Sequence, residues 1–403
     1  MTITTLYPNA AEPNKGIFVE NRLRHLLASG RARSRVIAPV PWFPSAHPRF
    51  GTYAAYARAP RQEQRHGIEV AHPRYLVVPK VGMTLAPFLL FLAMWREVRR
   101  LRRAGFEFDA IDAHYYYPDG VAAALLARLL GKPLTITARG TDINLIPRYA
   151  LPRRLIRWAI GQAAASITVC QALKDVLVEL GAEPDSVTVI RNGVDLEAFR
   201  PLDREAIRRR MKLEGPVVAS VGYLIERKAH DLLIAALPEL PGTTLLIAGS
   251  GPEEARLRRQ AETLGVAGRV RFLGALPHDA LLEVYNAADV TALASSREGF
   301  PNVLLESIAC GTPVVASRVW GTPELITSPS IGRLVDPREP AEFARQIRAV
   351  LDERPDRSQV RVFAEGLSWD KATRAQLALF SRVMGAGHAR SGCKARLTGT
   401  PIL

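Results

Sequence analysis

The chain has 403 residues, 48% of them hydrophobic and 23% charged; the length predicts two to three domains and the balance is ordinary for a soluble globular protein with two cores. Its net charge of +15, concentrated in the N-terminal half, suits an anionic partner such as a phospholipid surface, a lipid-linked diphosphate or nucleic acid, or else a solvated basic face. Cys170, Cys310 and Cys393 are too few and too scattered for a disulfide framework or a zinc site, which fits a reducing cytoplasm.

From the N-terminus, Met1 to Leu6 reads as the first strand of a parallel sheet. Tyr7-Pro8-Asn9 breaks the opening run, which argues against a signal peptide. A polar loop ends at Gly16 and a helix follows to Leu27. Arg35 to Pro39 is a second strand. Residues 41–80 are rich in Pro and aromatic residues and read as a long loop with one strand near Tyr75 to Val78. Leu85 to Arg103 reads as a helix whose apolar part is too short to span a bilayer. Leu89, Leu92, Trp95 and Val98 precede a run of arginines. The pattern favours a core-packed helix with a basic face; the competing reading is an interfacial helix on an anionic membrane.

Phe108 to Ala113 is a strand that delivers His114 to the strand's carboxyl end, where open α/β sheets bind ligands. Asp119 reads as the N-cap of a helix from Gly120 to Leu130. Leu134 to Ala138 is the next strand, and Arg139 and Asp142 flank a glycine turn at the same rim. Helices and strands then alternate through Val187 to Ile190, which implies a doubly wound parallel sheet. A charged connector over 200–215 leads to a second sheet opening at Val217 to Val221. Gly222 frees the backbone there, and Arg227 and Lys228 follow before a helix from His230. Adjacent cations at such a place suit a diphosphate, Arg as a bidentate donor and Lys as a point charge.

The densest signal is R-E-G-F-P-N-V-L-L-E-S-I-A-C-G-T-P, Arg297 to Pro313. Pro301 stands where a helix starts, and Gly311 and Pro313 stand where it stops. Glu298 precedes that start, and Glu306 lies one turn beyond Asn302 on the same face. A helix N-terminus suits an anionic ligand, and nearby carboxylates suit sugar hydroxyls.

This stretch resembles the E-x7-E motif of the retaining glycosyltransferases of the GT-B fold, group 1 or family 4, and the resemblance covers most of residues 6–384. It implies an α/β chain of two Rossmann-like, doubly wound domains facing a cleft. The first is an acceptor-side domain over 1–199. A nucleotide-sugar-binding domain over 216–368 follows the connector. A helix over 369–384 returns to the first domain, and 385–403 is expected to be a disordered tail. Members of the family begin the first strand earlier, so this one is either trimmed or preceded by a misassigned start.

The resemblance assigns donor binding to Gly16, Gly222, Gly299, Phe300, Pro301, Asn302, Val303 and Glu306, with Glu306 on the ribose hydroxyls. It assigns catalysis to His114, Arg227, Lys228 and Glu298: the cations and the N–H groups of Phe300 to Val303 face the leaving phosphate, and Glu298 orients the sugar. Arg139 and Asp142 resemble an H-G-x-D loop near the acceptor, with Arg139 where many relatives carry His. Ala229 departs from the usual glycine of R-K-G, and Tyr223 from a usual arginine. No D-x-D motif is present, so transfer without metal or cofactor is expected. The wording is similar to enzymes of cell-surface polysaccharide assembly. That implies a lipid-linked or glycan acceptor, a cytoplasmic protein with peripheral contact on the inner membrane face, and no nucleic-acid partner. The alternatives are a GT-B nucleotide-sugar epimerase, a dinucleotide oxidoreductase that lacks its glycine fingerprint, and a non-catalytic basic binding protein.

Overall fold

Short apolar strands with helices between them can bury both faces only as parallel sheets, and the chain forms two. The structure, a computed structural model, describes residues 1–77 and 82–396. One unit takes Met1–Arg191 and the chain from Ala372 onward; the other takes Asn192–Lys371. The division thus falls ahead of the expected 199, because Val194 bridges Ser368 and Gly193 lies against the Trp369 backbone.

In the first unit the strands are β1 (Thr2–Ile3), β2 (Val36–Ile37), β3 (Val40–Pro41), β4 (Gln62–Arg65), β5 (Ile68–Ala71), β6 (Arg74–Tyr75), β7 (Ile111–His114), β8 (Leu134–Ala138), β9 (Ala165–Thr168) and β10 (Val187–Val189). Eight of them form one sheet in the order β10-β9-β8-β7-β1-β2-β5-β4, and β3 pairs with β6. Every pair is parallel except β4 with β5. Ile111, Ala113, Leu134 and Ile136 on one face and Asp112, His114, Thr135 and Thr137 on the other are all buried, as two covered faces require.

Three expectations change here. The first strand is shorter than Met1 to Leu6. From Thr5 the chain turns away, its N–H and hydroxyl both donating to the Asp119 carboxylate. Asp119 is therefore not a helix cap: it is fully buried, and burial pushes its carboxyl up to about 7. The Val121–Leu130 helix starts without a side-chain cap. Thirdly, residues 41–77 are not one long loop. They hold a Thr52–Arg58 helix and the β4–β5 hairpin, closed by His66 and Gly67 with φ of 48° and 78°. Positive φ at both turn residues matches the twist of a tight hairpin. Val78, the end of the expected strand, lies outside the described residues.

In the second unit β11 (Val217–Val221), β12 (Thr244–Ala248), β13 (Val270–Gly274), β14 (Val290–Leu293), β15 (Val314–Ser317) and β16 (Gly332–Val335) form an all-parallel sheet ordered β13-β12-β11-β14-β15-β16. Its core gathers Leu233, Ile234, Leu245, Ile247, Val290, Ala292, Phe343 and Ile347. Asp289 fixes the amino ends of β11 and β14: it accepts the Val217 N–H at 2.8 Å and pairs with Arg204 and Arg208. A helix over Arg357–Glu365 has no counterpart in the sequence reading. It is nine residues long and buries only Val360 and Ala364, a stretch short enough to pass for part of a loop.

The last helix runs Trp369–Arg396, past the expected end at 384, so the expected disordered tail begins as helix; residues 397–403 lie outside the description. From Ala372 it packs as part of the first unit. Leu377 and Phe380 join a cluster with Tyr7, Val19 and Leu23, and Gln376 accepts from Arg22 Nε at 2.9 Å.

Ala229 sits in the left-handed region at φ 49°, ψ 44° and is buried, a conformation that strains any side chain by about 1–2 kcal/mol. The Ala229→Gly variant relieves that strain while losing a buried methyl, so denaturant melts should place it within about 1 kcal/mol of the parent. Ala229→Val, branched at Cβ, should lose more than about 2 kcal/mol.

Candidate functional site

The Val217–Val221 strand ends at Gly222, and its loop carries Arg227 and Lys228 on a short 3-10 turn, Glu226–Lys228. Gly222 has φ 155°, and a Cβ there would meet Lys228 Cε at 3.3 Å. Glycine thus lets the lysine lie across the strand end. Gly249, after β12, has the same logic: a Cβ on it would collide with the Gly222 carbonyl oxygen. The turn from Gly249 to Pro252 is therefore what seats the 222–228 loop.

The 292–313 stretch meets that loop. Pro301 is the N-cap of the Asn302–Ala309 helix and Cys310 its C-cap, within a residue of the expected bounds. Phe300 and Pro301 are buried, while Gly299, Asn302 and Val303 are half-buried. Lys228 Nζ donates to Glu298 Oε1 at 2.6 Å, and Arg227 lies 3.6 Å from the same oxygen while donating to the Arg297 carbonyl at 2.8 Å. Ser296 N–H donates back to the Arg227 carbonyl at 2.9 Å. Burial alone would raise the Glu298 carboxyl, but Lys228 and then Arg227 outweigh it and hold it below its ordinary value. Two cations and one carboxylate, 70 residues apart in sequence, thus form one cluster beside a helix start. One net positive charge remains there, a setting suited to an anionic leaving group.

Glu306, on the same helix, is held elsewhere. Its Oε1 accepts from His278 Nε2 and its Oε2 from the Tyr285 hydroxyl, both at 2.8 Å. Neither partner stands out in the sequence, because nothing in their spacing from Glu306 marks them. Asn302 accepts from Asn192 Nδ2 at 2.9 Å.

In the first unit the expected residues form a buried network. His114 is 2% exposed. Its Nε2 lies 3.3 Å from Asp112 Oδ2, and Arg139 donates to its Nδ1 at 2.7 Å. Burial pushes the imidazole down to about 4, so the ring is neutral and donates to Asp112. Both ring nitrogens are engaged by protein, Nε2 by Asp112 and Nδ1 by Arg139. Asp142 is fully buried and accepts N–H groups of Tyr116, Arg139 and Gly140 at 2.8, 3.1 and 2.8 Å. It holds the turn. Arg139 is also buried and stacks over Phe18 at 5.4 Å. Gly16 has φ 67°, and the close approach that requires glycine there is to the Leu6 carbonyl, which any Cβ at that position would overlap.

Removing Lys228 leaves a mostly buried Glu298 with Arg227, 3.6 Å away, as the remaining cation of the cluster. Lys228→Ala should therefore cost about 2–3 kcal/mol in denaturant melts, and much less when Glu298→Ala is already present. The Glu298 carboxyl is depressed in the folded state, so its contribution is full above pH 4.5, its ordinary value, and is lost as pH falls through the folded value. Glu298→Gln should flatten that acid limb of the stability profile.

Residues 203–365 match the family described as Glycosyl transferases group 1, and residues 52–198 the one described as Glycosyltransferase Family 4. The chain is 38% identical over 305 residues to a D-inositol 3-phosphate glycosyltransferase of Mycolicibacterium smegmatis, covering 70% of this chain and 69% of that one. A protein of the same description from Acidothermus cellulolyticus is 37% identical over 288 residues, 65% of this chain and 63% of the relative, so the match spans less than two thirds of that relative's length. Among solved structures, sucrose-phosphate synthase from Thermosynechococcus elongatus superposes with a TM-score of 0.78 at 20% identity, over 96% of this chain and 99% of that one. Anabaena HepE in complex with UDP and glucose gives 0.71 at 22%, over 95% and 100%; at such identities the likeness is one of fold. The two Rossmann-like sheets are those of the GT-B fold, and the chain belongs to the group 1, family 4 glycosyltransferases.

Proposed function

We propose that the protein transfers a hexose from a nucleotide sugar to a lipid-linked or polysaccharide-precursor acceptor, with retention of anomeric configuration. The observation that carries this reading is the Arg227–Lys228–Glu298 cluster beside the Asn302–Ala309 helix. Breaking the anomeric bond leaves charge on the departing diphosphate while the sugar becomes oxocarbenium-like. Arg227 and Lys228 meet that charge from fixed positions, with the N–H groups of Phe300 to Val303 beside them. Glu298, kept ionised by the same cations, orients sugar hydroxyls, and Glu306 holds the ribose. Neutral His114 contributes through its backbone and by steadying Arg139 on the acceptor side. In this reading protein cations alone neutralise the phosphate.

A screen of nucleotide sugars by thermal shift tests the donor assignment, since a ligand that binds only the folded state raises the melting temperature. One or more donors should stabilise the parent protein, and Lys228→Ala should abolish the shift. With that donor and a matched acceptor, the product should keep the donor's anomeric configuration by NMR, and turnover should survive EDTA. Epimerisation of the donor with no acceptor present would contradict sugar transfer.

The acceptor class draws support from the Gly82–Arg103 helix. Leu85, Phe88 and Leu92 are exposed on one stripe that continues through the exposed Arg96, Arg99 and Arg103. Trp42, Leu76 and Val77 are exposed as well. Among the described residues no helix is long and apolar enough to cross a membrane. An apolar tip with arginines behind it suits an anionic interface. The protein should co-sediment with vesicles containing phosphatidylglycerol and not with neutral ones, and Phe88→Ser with Leu92→Ser should release it.

A further inference from the structure

We infer that His278 and Tyr285 are positioning residues that lock Glu306 for recognition of a ribose diol, and so set the preference for ribonucleotide over 2′-deoxyribonucleotide donors. The inference rests on the donor reading above and extends it to residues that no motif marks.

An ionised carboxylate offers about four lone-pair sites. His278 Nε2 takes one on Oε1 and the Tyr285 hydroxyl takes one on Oε2. One site on each oxygen remains, and two acceptors on a fixed plane match two vicinal hydroxyl donors. Both clamping residues are themselves held. Tyr285 is fully buried on the Leu281–Ala287 helix. His278 sits in the turn that leaves β13, where its carbonyl accepts the Leu281 N–H at 3.3 Å. The Phe199 ring packs edge-on to both, with centroids 5.0 Å from His278 and 5.9 Å from Tyr285. Burial works against a proton on His278, but Glu306, Asp279 and Asp195 outweigh it, and its pKa is raised. Protonation of the ring, which these carboxylates favour, strengthens its hydrogen bond to Glu306. A buried site built to accept a hydroxyl rejects the analogue that lacks it, because its acceptor is left unpaired.

The test compares binding of UDP, ADP and GDP with their 2′-deoxy counterparts by calorimetry, in the parent, His278→Ala, His278→Gln and Tyr285→Phe proteins. Melting curves without nucleotide check that each variant is folded. The parent should bind its preferred ribonucleotide roughly tenfold or more tightly than the deoxy form, as expected for a hydrogen bond to a charged group. His278→Ala should collapse that ratio towards one, chiefly by weakening the ribonucleotide. His278→Gln, whose amide N–H reaches the same oxygen, should restore much of it, and Tyr285→Phe should lower it. A merely structural role would weaken both nucleotides equally. Equal ratios in the parent and His278→Ala would overturn the inference, as would a parent indifferent to the 2′-hydroxyl, and in both cases donor binding itself would stand. A parent that binds no nucleotide would instead overturn the donor reading.

Discussion

The hydrogen bond from Lys228 to Glu298 joins two loops that end neighbouring strands, and the rest of the candidate site depends on it. The loop after β11 is seated by Gly222 and Gly249, which allow backbone contact that no side chain could share. The loop after β14 is fixed by Pro301 and the helix it opens. Between them lie two cations and a carboxylate with one net positive charge. An arrangement that is ionised and placed before a ligand arrives loses little to reorganisation when charge develops nearby.

The two units use buried charge differently. In the second unit the charged groups at the strand ends remain partly accessible, with Arg227 the most open of the three. In the first unit Asp112, His114, Asp119, Arg139 and Asp142 are all buried at or near the sheet. Asp119 and Asp142 accept backbone N–H groups, and Asp112, His114 and Arg139 bond in a chain, as most interior polar atoms do. That network serves to fix the rim, and Arg22 and Gln376 extend it to the last helix.

Much of this was legible in the residues. Pro301, Gly311 and Pro313 set the bounds of the Asn302–Ala309 helix because proline and glycine act through the backbone alone. The alternation of buried strands with helices pointed to both sheets. The hairpin over 62–71 was hidden, since Gln62 to Arg65 is a polar edge strand with no apolar period, and only the His66-Gly67 turn could have signalled it. Asp119 looked like a helix cap because it stands just before an apolar helical run, and Asp142 like a rim residue because it follows a strand end. Their burial follows from partners, Thr5 and Tyr116, that only the fold brings near. The same holds for Glu306, whose contacts with His278 and Tyr285 cross from one element to another.

The central claim is that Arg227 and Lys228 hold a diphosphate. Its most direct measurement is the affinity of the parent and of Lys228→Gln for a nucleoside, its monophosphate and its diphosphate, at fixed salt. The account predicts that affinity in the parent rises with the second phosphate, and that Lys228→Gln removes that increment while leaving nucleoside binding unchanged. An equal loss for all three ligands, or no loss for the diphosphate, would contradict it.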